Sequence, residues 1–432
     1  MINIGILGFG TVGTGTARIL LKNRRLLKER TGVDINLRRI ADLDITRDRG
    51  IKIPGGILTT SAASVIADPE IHIIVELIGG TTLAKEFVLQ AIRNGKHVVT
   101  ANKALLATHG IEIFRAADKA GVEIGFEASV AGGIPIIKVL REGLVANRIK
   151  AVYGIINGTT NYILTKMTTE KAEYADVLKE AQKLGYAEAD PTYDVEGVDS
   201  AHKLAILASL AFGSPFTLKD VHREGISWIS PMDIEFAQEL GYTIKLLGIT
   251  KETNGKVELR VHPTMLPSAF LISKVDGVFN AVYVEGDAVG STLYYGRGAG
   301  DLPTGSAVVS DIADISRHII SGSAGKFSVC PGAARPMPLM KMADVTSMYY
   351  FRFSAIDKPG VLSKISGILG KHNISIASVI QKDRHEGKAV PLVVLTHRAR
   401  EKDVMSAVKE INRLQIVAGK AIYIRVEGKE TG

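Results

Sequence analysis

The apolar run Ile2–Leu7 leads directly into Gly8-Phe9-Gly10-Thr11-Val12-Gly13, and an apolar-periodic segment, 14–27, follows. Strand, glycine turn and helix in that order turn a Gly-x-Gly-x-x-Gly spacing into a dinucleotide fingerprint. Gly8 permits the tight turn, Gly10 lets the backbone approach a pyrophosphate, and Gly13 lets the helix pack closely on the strand. The helix N-terminus adds N–H groups and the positive end of a dipole. A chain that opens this way is expected to build a Rossmann-like α/β domain on a parallel sheet.

The alternation continues. A second strand, 34–41, ends at Asp42-Leu43-Asp44. An acid there suits the ribose hydroxyls of NAD, whereas Arg38 and Arg39 just upstream suit the 2′-phosphate of NADP; both remain open. Strands are expected at 71–76 and 97–100, with a helix over 82–94 stopped by Gly95 and another starting at 101. Gly79-Gly80 and Thr100 would then close on the same sheet edge as the glycine turn, where ligands bind in open α/β sheets. Lys103 falls in the first turn of a helix at that edge. The helix dipole disfavours its charged form there, although a plain surface lysine fits the position equally well.

Beyond a strand at 122–127 the pattern becomes mixed. Helices are expected at 136–145, 174–184, 200–212, 218–223 and 232–240, with strands at 150–156, 243–250, 257–263 and 281–285, an α+β region. The glycine-rich loop 296–306, which includes Gly305, would cap a helix, 307–318, that returns to the nucleotide domain. Residues 321–346 read as a linker. After it a βαββαβ order in about 80 residues predicts a ferredoxin-like unit.

The stretch Gly185–Lys203 carries five carboxylates, Glu188, Asp190, Asp194, Glu196 and Asp199, in a basic protein. Asp199 or Ser200 is expected to cap a helix, 201–212, that stops at Gly213. Asp199 and Lys203 are four residues apart and share a helix face. A solvated acidic loop with an ion pair is one reading. A site where carboxylates grip a cationic group and a lysine moves a proton is the other. The spacing of a calcium-binding EF-hand is absent.

The net charge of +8 is spread over helix faces such as 22–30 and 398–409, with few aromatics between, which argues against nucleic acid. No apolar run approaches the roughly 20 residues of a membrane span. The chain begins in an apolar strand without a basic leader, and a single cysteine, Cys330, fits a reducing cytoplasm. Cys330 lies far along the chain from any site element, which argues against a thioester route. His97, His109, His202, His222 and His262 show no zinc-ligand grouping. Hydride transfer with lysine acid/base chemistry remains.

The motifs 8–13, 75–80 (Val-Glu-Leu-Ile-Gly-Gly) and 98–105 (Val-Val-Thr-Ala-Asn-Lys-Ala-Leu) resemble the nucleotide half of homoserine dehydrogenases. In the same order, 127–135 (Glu-Ala-Ser-Val-Ala-Gly-Gly-Ile-Pro), 157–161 (Asn-Gly-Thr-Thr-Asn) and 185–203 resemble their catalytic half, and 356–362 looks like the start of an ACT domain. The resemblance covers essentially the whole chain. It implies NAD- or NADP-dependent interconversion of L-homoserine and L-aspartate 4-semialdehyde, in a single-activity enzyme without an aspartate kinase domain. It places the NAD(P)-binding domain at 1–130 (with the helix at about 304–320 returning to it) and the catalytic and dimerisation domain at 131–303. The linker at 321–346 would then join these to a regulatory ACT domain at 347–428.

By position, the resemblance makes Lys203 the proton donor in the reductive direction and Lys103 its partner. Glu188, Asp194 and Asp199 become acids lining the substrate pocket, with Thr159, Gly185 and Tyr186 beside them. The implied cofactor residues are Gly8, Phe9, Gly10, Thr11, Val12, Gly13, Arg39, Asp42, Gly79, Thr100, Lys103, Gly185 and Gly305. A monovalent cation, Na+ or K+, is implied at Glu127, Val130, Gly132 and Ile134, largely through carbonyls. An amino-acid effector, threonine first, is implied at Asp357, Gly360, Asn373 and Ile374, in a homodimer or homotetramer. Two other readings are a different ACT-tailed hydroxyacid dehydrogenase and a non-enzymatic amino-acid sensor.

Overall fold

Strand β1 (Ile2–Leu7) is almost wholly buried in the computed structural model, which describes residues 1–326, 336–382 and 388–428. Cys330 and part of the expected linker lie outside the described residues. From β1 the chain runs through α1 (Thr11–Lys22), α2 (Arg24–Thr31), β2 (Ile35–Ala41), β3 (Leu58–Thr59) and α3 (Ala62–Ala67). It continues through β4 (Ile73–Glu76), α4 (Thr82–Arg93), β5 (His97–Thr100), α5 (Lys103–Ala120) and β6 (Ile124–Gly125). All six strands pair in parallel, in the order β3-β2-β1-β4-β5-β6. The order reverses at β1, so the glycine turn after it lies at the switch point where such sheets bind ligands. The single helix expected over 14–27 is two: α1 stops at Lys22, and α2 ends on left-handed Gly32.

Next come α6 (Ile136–Lys138), β7 (Ile149–Ile155), α7 (Gly158–Glu170), α8 (Tyr174–Lys183), α9 (Thr192–Val195) and α10 (Val198–Phe212). The regular helix expected at 136–145 loosens into a π turn at Val139–Gly143. The helix expected at 218–223 is a single 3-10 turn, Leu218–Asp220, held by a capping box between Thr217 and Asp220, and it gives way to β8 (His222–Arg223). α11 (Pro231–Glu239), β9 (Tyr242–Thr253), β10 (Lys256–Pro267), β11 (Phe279–Gly286), β12 (Gly290–Arg297) and α12 (Asp301–Ser321) follow. The C-terminal part comprises β13 (Thr346–Ile356), α13 (Val361–Lys371), β14 (Ile376–Ile380), β15 (Ala389–Thr396), β16 (Ala399–Arg400), α14 (Glu401–Ile411) and β17 (Ile422–Val426).

These elements divide into two units. The first comprises Met1–Gly158, Asp199–Val221 and Val278–Met337. Within it α12 lies along α1; it begins at Asp301, so the second half of the stretch expected as a glycine-rich loop, Gly305 included, is helical. A Cβ on Gly15 would collide with the Asp301 carbonyl, and one on Gly305 would stand 2.8 Å from the Gly15 backbone. Glycine at both positions lets the helices close, and Val308, Val309 and Ile312 of α12 join Ile4, Ile6 and Val75 in one core. β11 pairs antiparallel with β12 and with β7.

The second unit comprises Thr159–Val198, His222–Gly277 and the chain from Pro338 onward. β9 and β10 form a long antiparallel hairpin. The strands β17-β13-β15-β14 with α13 and α14 make the expected ferredoxin-like unit. Alternation along β13 turns Tyr349, Phe351 and Phe353 toward the core they share with those helices. β10 pairs in parallel with β17, and buried charges line that junction. Arg260 lies between Glu258 and Glu427, and Arg425 between Glu224 and Glu401.

Candidate active site

Gly8 adopts φ +98°, and a Cβ there would stand 2.6 Å from the Leu77 carbonyl, so the turn requires glycine. A Cβ on Gly13 would strike the Gly8 carbonyl, whereas one on Gly10 would meet open space. Close backbone contacts thus require glycine at Gly8 and Gly13, and the face of Gly10 is open. An open groove of about 390 Å³ borders Phe9, Gly10, Thr11 and Thr14 at the start of α1, flanked by Arg18, Arg47 and Arg49. Exposed backbone N–H groups, a helix N-terminus and cations together suit a dinucleotide phosphate.

Asp42 lies at the end of β2, as expected. Its Oδ2 accepts the Phe9 N–H at 2.5 Å, and its Oδ1 accepts the Asp44 N–H at 2.9 Å. The two arginines weighed for a 2′-phosphate each have a partner in the structure. Arg38 pairs with Asp68 and Glu70, and Arg39 donates to the Gly56 carbonyl. These partners lie in the segments before β3 and after α3, and the sequence does not reveal the contacts. Arg47 and Arg49, in the loop after β2, line the groove. Arg49 stacks on Phe9 at 4.8 Å and donates to the Phe9 and Asp44 carbonyls. The signal for them was the short basic run Arg47-Asp48-Arg49-Gly50.

Glu76, at the end of β4, is buried, and burial raises its pKa. Its carboxylate holds the turn to Gly79 by accepting the Ile78 and Gly79 N–H groups, and it accepts the Thr100 hydroxyl at 2.6 Å. The Thr100 oxygen in turn receives the Asn102 N–H. Asn102 caps α5 through the Leu105 N–H and also donates to the Gly80 carbonyl at 2.6 Å. This relay fixes the first residue of α5, which is Lys103.

The Lys103 Nζ is 3.0 Å from Oδ1 of Asp199. The other oxygen, Oδ2, accepts Lys203 Nζ at 2.7 Å and Asn157 Nδ2 at 2.9 Å. The Lys203 ammonium also donates to the Ile156 carbonyl at 2.7 Å. α10 begins at Val198, so Asp199 lies in the first turn of the helix and is not its N-cap. The shift leaves its side chain one turn from Lys203 on the same face. Asp199 is 4% exposed and Lys203 9%. Burial alone would raise the Asp199 pKa, but Lys203 and then Lys103 outweigh it and hold the carboxyl well below the usual range. Two ammonium groups thus share one buried carboxylate, and they lie within one unit. Asn157 and the Ile156 carbonyl were not among the expected site residues; the Asn-Gly-Thr-Thr motif was the available signal for Asn157.

The remaining acids expected at the substrate belong to the second unit. There the Thr159 hydroxyl donates to the Tyr186 carbonyl at 2.6 Å, and the Tyr186 ring packs on Tyr162 at 4.9 Å. Gly185 takes the left-handed conformation that ends α8. Gln182 donates to the Glu188 carbonyl, and Asp194 is carried by α9.

In the first unit Glu127 is buried, and its carboxylate accepts the Ile137 and Lys138 N–H groups. Burial, followed by the nearby Asp311, raises its pKa to about 7. Ala131 and Gly132 are both left-handed, at φ 55° and 51°, so the turn through Val130 and Ile134 is tightly wound. The Asn280 amide packs under Gly298, fully buried, and neither its nitrogen nor its oxygen has a partner among the described residues. A Cβ on Gly132 would stand 2.5 Å from the Gly298 carbonyl, so a buried polar amide without a partner lies one residue away from the Gly132 turn.

In the second unit Gly360, at φ 86°, precedes α13, and Asn373, at φ 57°, follows it beside buried Ile374. The Asp357 Oδ2 is buried without a hydrogen-bond partner among the described residues. No group of histidine, cysteine and carboxylate side chains suited to a metal occurs among the described residues, and no described helix is long and apolar enough to cross a membrane.

Family models match three segments of the chain: "Homoserine dehydrogenase, NAD binding domain" at 8–127, "Homoserine dehydrogenase" at 135–313 and "ACT domain" at 349–414. The homoserine dehydrogenase of Pseudomonas aeruginosa is 49% identical over 432 residues, covering 99% of each chain. A crystal structure of a homoserine dehydrogenase from Thiobacillus denitrificans is 50% identical, with a TM-score of 0.94, and the match covers 99% of this chain and 98% of that one. A hyperthermophilic archaeal homoserine dehydrogenase in complex with NADPH is 30% identical, with a TM-score of 0.62, over 72% of this chain and 96% of that one.

Proposed function

The chain belongs to the homoserine dehydrogenase family, and on that premise we propose how its own residues carry the NAD(P)-dependent interconversion of L-homoserine and L-aspartate 4-semialdehyde. The observation that carries the reading is the pair of lysines on one buried carboxylate, Lys103 and Lys203 on Asp199. When bound, NAD(P) would supply the hydride chemistry. The protein must move the matching proton. Lys203 delivers it to the forming hydroxyl in reduction and takes it in oxidation, and Lys103 orients that oxygen. Asp199 keeps the ammonium groups close, while Asn157 and the Ile156 carbonyl fix the Lys203 head group. One carboxylate beside two lysines leaves an excess positive charge that favours an anionic oxygen.

In the second unit Glu188 and Asp194 are the carboxylates offered to the substrate ammonium, with Thr159 and Tyr186 as neighbouring polar groups. The groove at Gly8–Gly13 holds the cofactor, with Gly79, Thr100 and Gly305 shaping the same sheet edge. Asp42 serves the ribose hydroxyls and Arg47 a 2′-phosphate, so that the balance between them sets the choice of NAD or NADP. A monovalent cation would be held by Glu127, Val130, Gly132 and Ile134, largely through their carbonyls. The paired left-handed residues and the unpartnered Asn280 amide nearby support it. An amino-acid effector, threonine first, binds at Asp357, Gly360, Asn373 and Ile374 in a homo-oligomer. The unpartnered Asp357 oxygen supports this placement.

The test is the initial rate of homoserine oxidation with NAD and with NADP, each with and without threonine. Turnover suppressed by threonine supports both the catalytic and the effector assignments. Turnover indifferent to threonine removes that effector, and no turnover with either cofactor overturns the catalytic assignment.

A further inference from the structure

A groove of about 460 Å³ opens in the second unit between the end of α7, the start of α11 and strand β13, and none of its lining residues belongs to the loop assigned to the effector. Its polar rim contains both signs of charge: Arg352 and Lys171 on one hand, Glu173 and Glu235 on the other. Its floor and lip are apolar, with Met167 buried and Met232 44% exposed.

The arginine is held in place from behind. Asp233, fully buried, accepts Arg352 Nε at 2.7 Å and Nη2 at 2.9 Å, together with the Tyr350 hydroxyl at 3.2 Å. One edge of the guanidinium fork is therefore occupied, while Nη1 has no partner among the described residues. A planar guanidinium immobilised in this way is preorganised for a carboxylate. The Lys171 ammonium stands 3.4 Å from the Glu235 carboxylate, and both side chains are largely exposed. Such a pair contributes little to stability, so its members are available to a ligand. A simple anion would satisfy Arg352 and Lys171 but face Glu173 and Glu235. A simple cation would meet the reverse conflict. A ligand carrying both charges and an apolar side chain matches every wall, and an exposed methionine adapts readily to such a side chain.

We propose that this groove binds a zwitterionic α-amino acid with an apolar side chain. Its carboxylate lies on Arg352 Nη1 and Lys171, its ammonium near Glu173 and Glu235, and its side chain against Met167 and Met232. The site is separate from the loop of Asp357 and Gly360 and does not depend on that assignment. Because Arg352 is carried by β13 and Asp233 by α11, an occupant tightens the contact between these two elements.

The test is calorimetric titration of the full-length protein with L-leucine as the probe. Isoamylamine, which lacks the carboxylate, and 4-methylpentanoate, which lacks the ammonium, are the comparators. Leucine is expected to bind, with each comparator weaker by roughly tenfold or more. Met232→Arg, which fills the groove, and Glu235→Lys, which reverses one pole, should each weaken leucine by roughly tenfold or more. Both substitutions replace exposed side chains, and thermal melts verify that each variant is folded. Asp357→Ala should leave leucine binding unchanged. No binding of leucine overturns the proposal, as do comparators that bind as well as leucine or groove variants that bind it normally. Binding lost on Asp357→Ala also overturns it, by placing the ligand at the other loop.

Discussion

Asp199 and Lys203 stand one helical turn apart on α10 with 2.7 Å between carboxylate oxygen and ammonium, and the same carboxylate reaches Lys103 from its other oxygen. Replacing Asp199 by asparagine keeps the shape but removes the charge between two ammonium groups. The expected result is a fall in kcat of about 10²-fold or more, with cofactor binding, followed by NADPH fluorescence, little changed. A variant that retained full turnover would show that the carboxylate does not position the lysines for proton transfer.

The proton assignment has a directional signature. Oxidation needs an unprotonated lysine to accept the hydroxyl proton, and reduction needs a protonated one to supply it. The rate of homoserine oxidation should therefore rise with pH, and the rate of semialdehyde reduction should fall. Lys203→Ala should lower kcat by about 10²–10⁴-fold and flatten both profiles. If Lys103→Ala removes the pH dependence and Lys203→Ala leaves it, the two roles are exchanged.

Cofactor choice can be read at Arg47. Its neighbour Arg49 is committed to backbone carbonyls and to the Phe9 ring, and Arg18 pairs with Asp301. Arg47 is exposed at the groove and is the side chain free to meet a 2′-phosphate. Arg47→Ala should lower kcat/KM with NADP by roughly tenfold to a hundredfold and leave the NAD value nearly unchanged. Equal losses with both cofactors would assign Arg47 to the pyrophosphate instead.

The sequence carried the fold where short-range patterns decide it. Alternating strands and helices, the three glycines of the first turn and the βαββαβ order all depend on spacing, and spacing is visible. Asp199 and Lys203 were legible for the same reason, being four residues apart. Their third partner, Lys103, is distant in sequence: the helix pattern put it at the sheet edge, but only the resemblance paired it with Lys203. The arginines of β2 show the limit. Arg38 and Arg39 read as phosphate ligands until Asp68, Glu70 and the Gly56 carbonyl are seen beside them, and those contacts depend on how strands and loops are brought together. α7 was missed because the Asn-Gly-Thr-Thr sequence at its start reads as a turn, and packing of Ile163, Leu164 and Met167 overrides that local preference. The buried charges between β10 and β17 were not legible either, since each residue alone resembles surface polarity on a strand.

That junction supplies a stability test. Glu427 is buried and accepts Lys251 Nζ at 2.5 Å as well as the Arg260 guanidinium. Burial alone would raise its pKa, but Arg260 and Lys251 outweigh it and lower it from 4.5 to about 2. A carboxyl with a depressed folded-state pKa contributes stability that is fully present above its unfolded value. The contribution is lost as pH falls from about 4.5 toward about 2. Glu427→Gln leaves Arg260 and Lys251 without that charge in a buried site and should cost about 3–5 kcal/mol near neutral pH. Urea unfolding of both proteins at a series of pH values measures the gap. It should stay constant from neutrality down to the ordinary carboxylate range and then narrow, because the wild type loses what the variant never had. A gap that persists unchanged into strong acid would mean that Glu427 acts through packing and not through its charge.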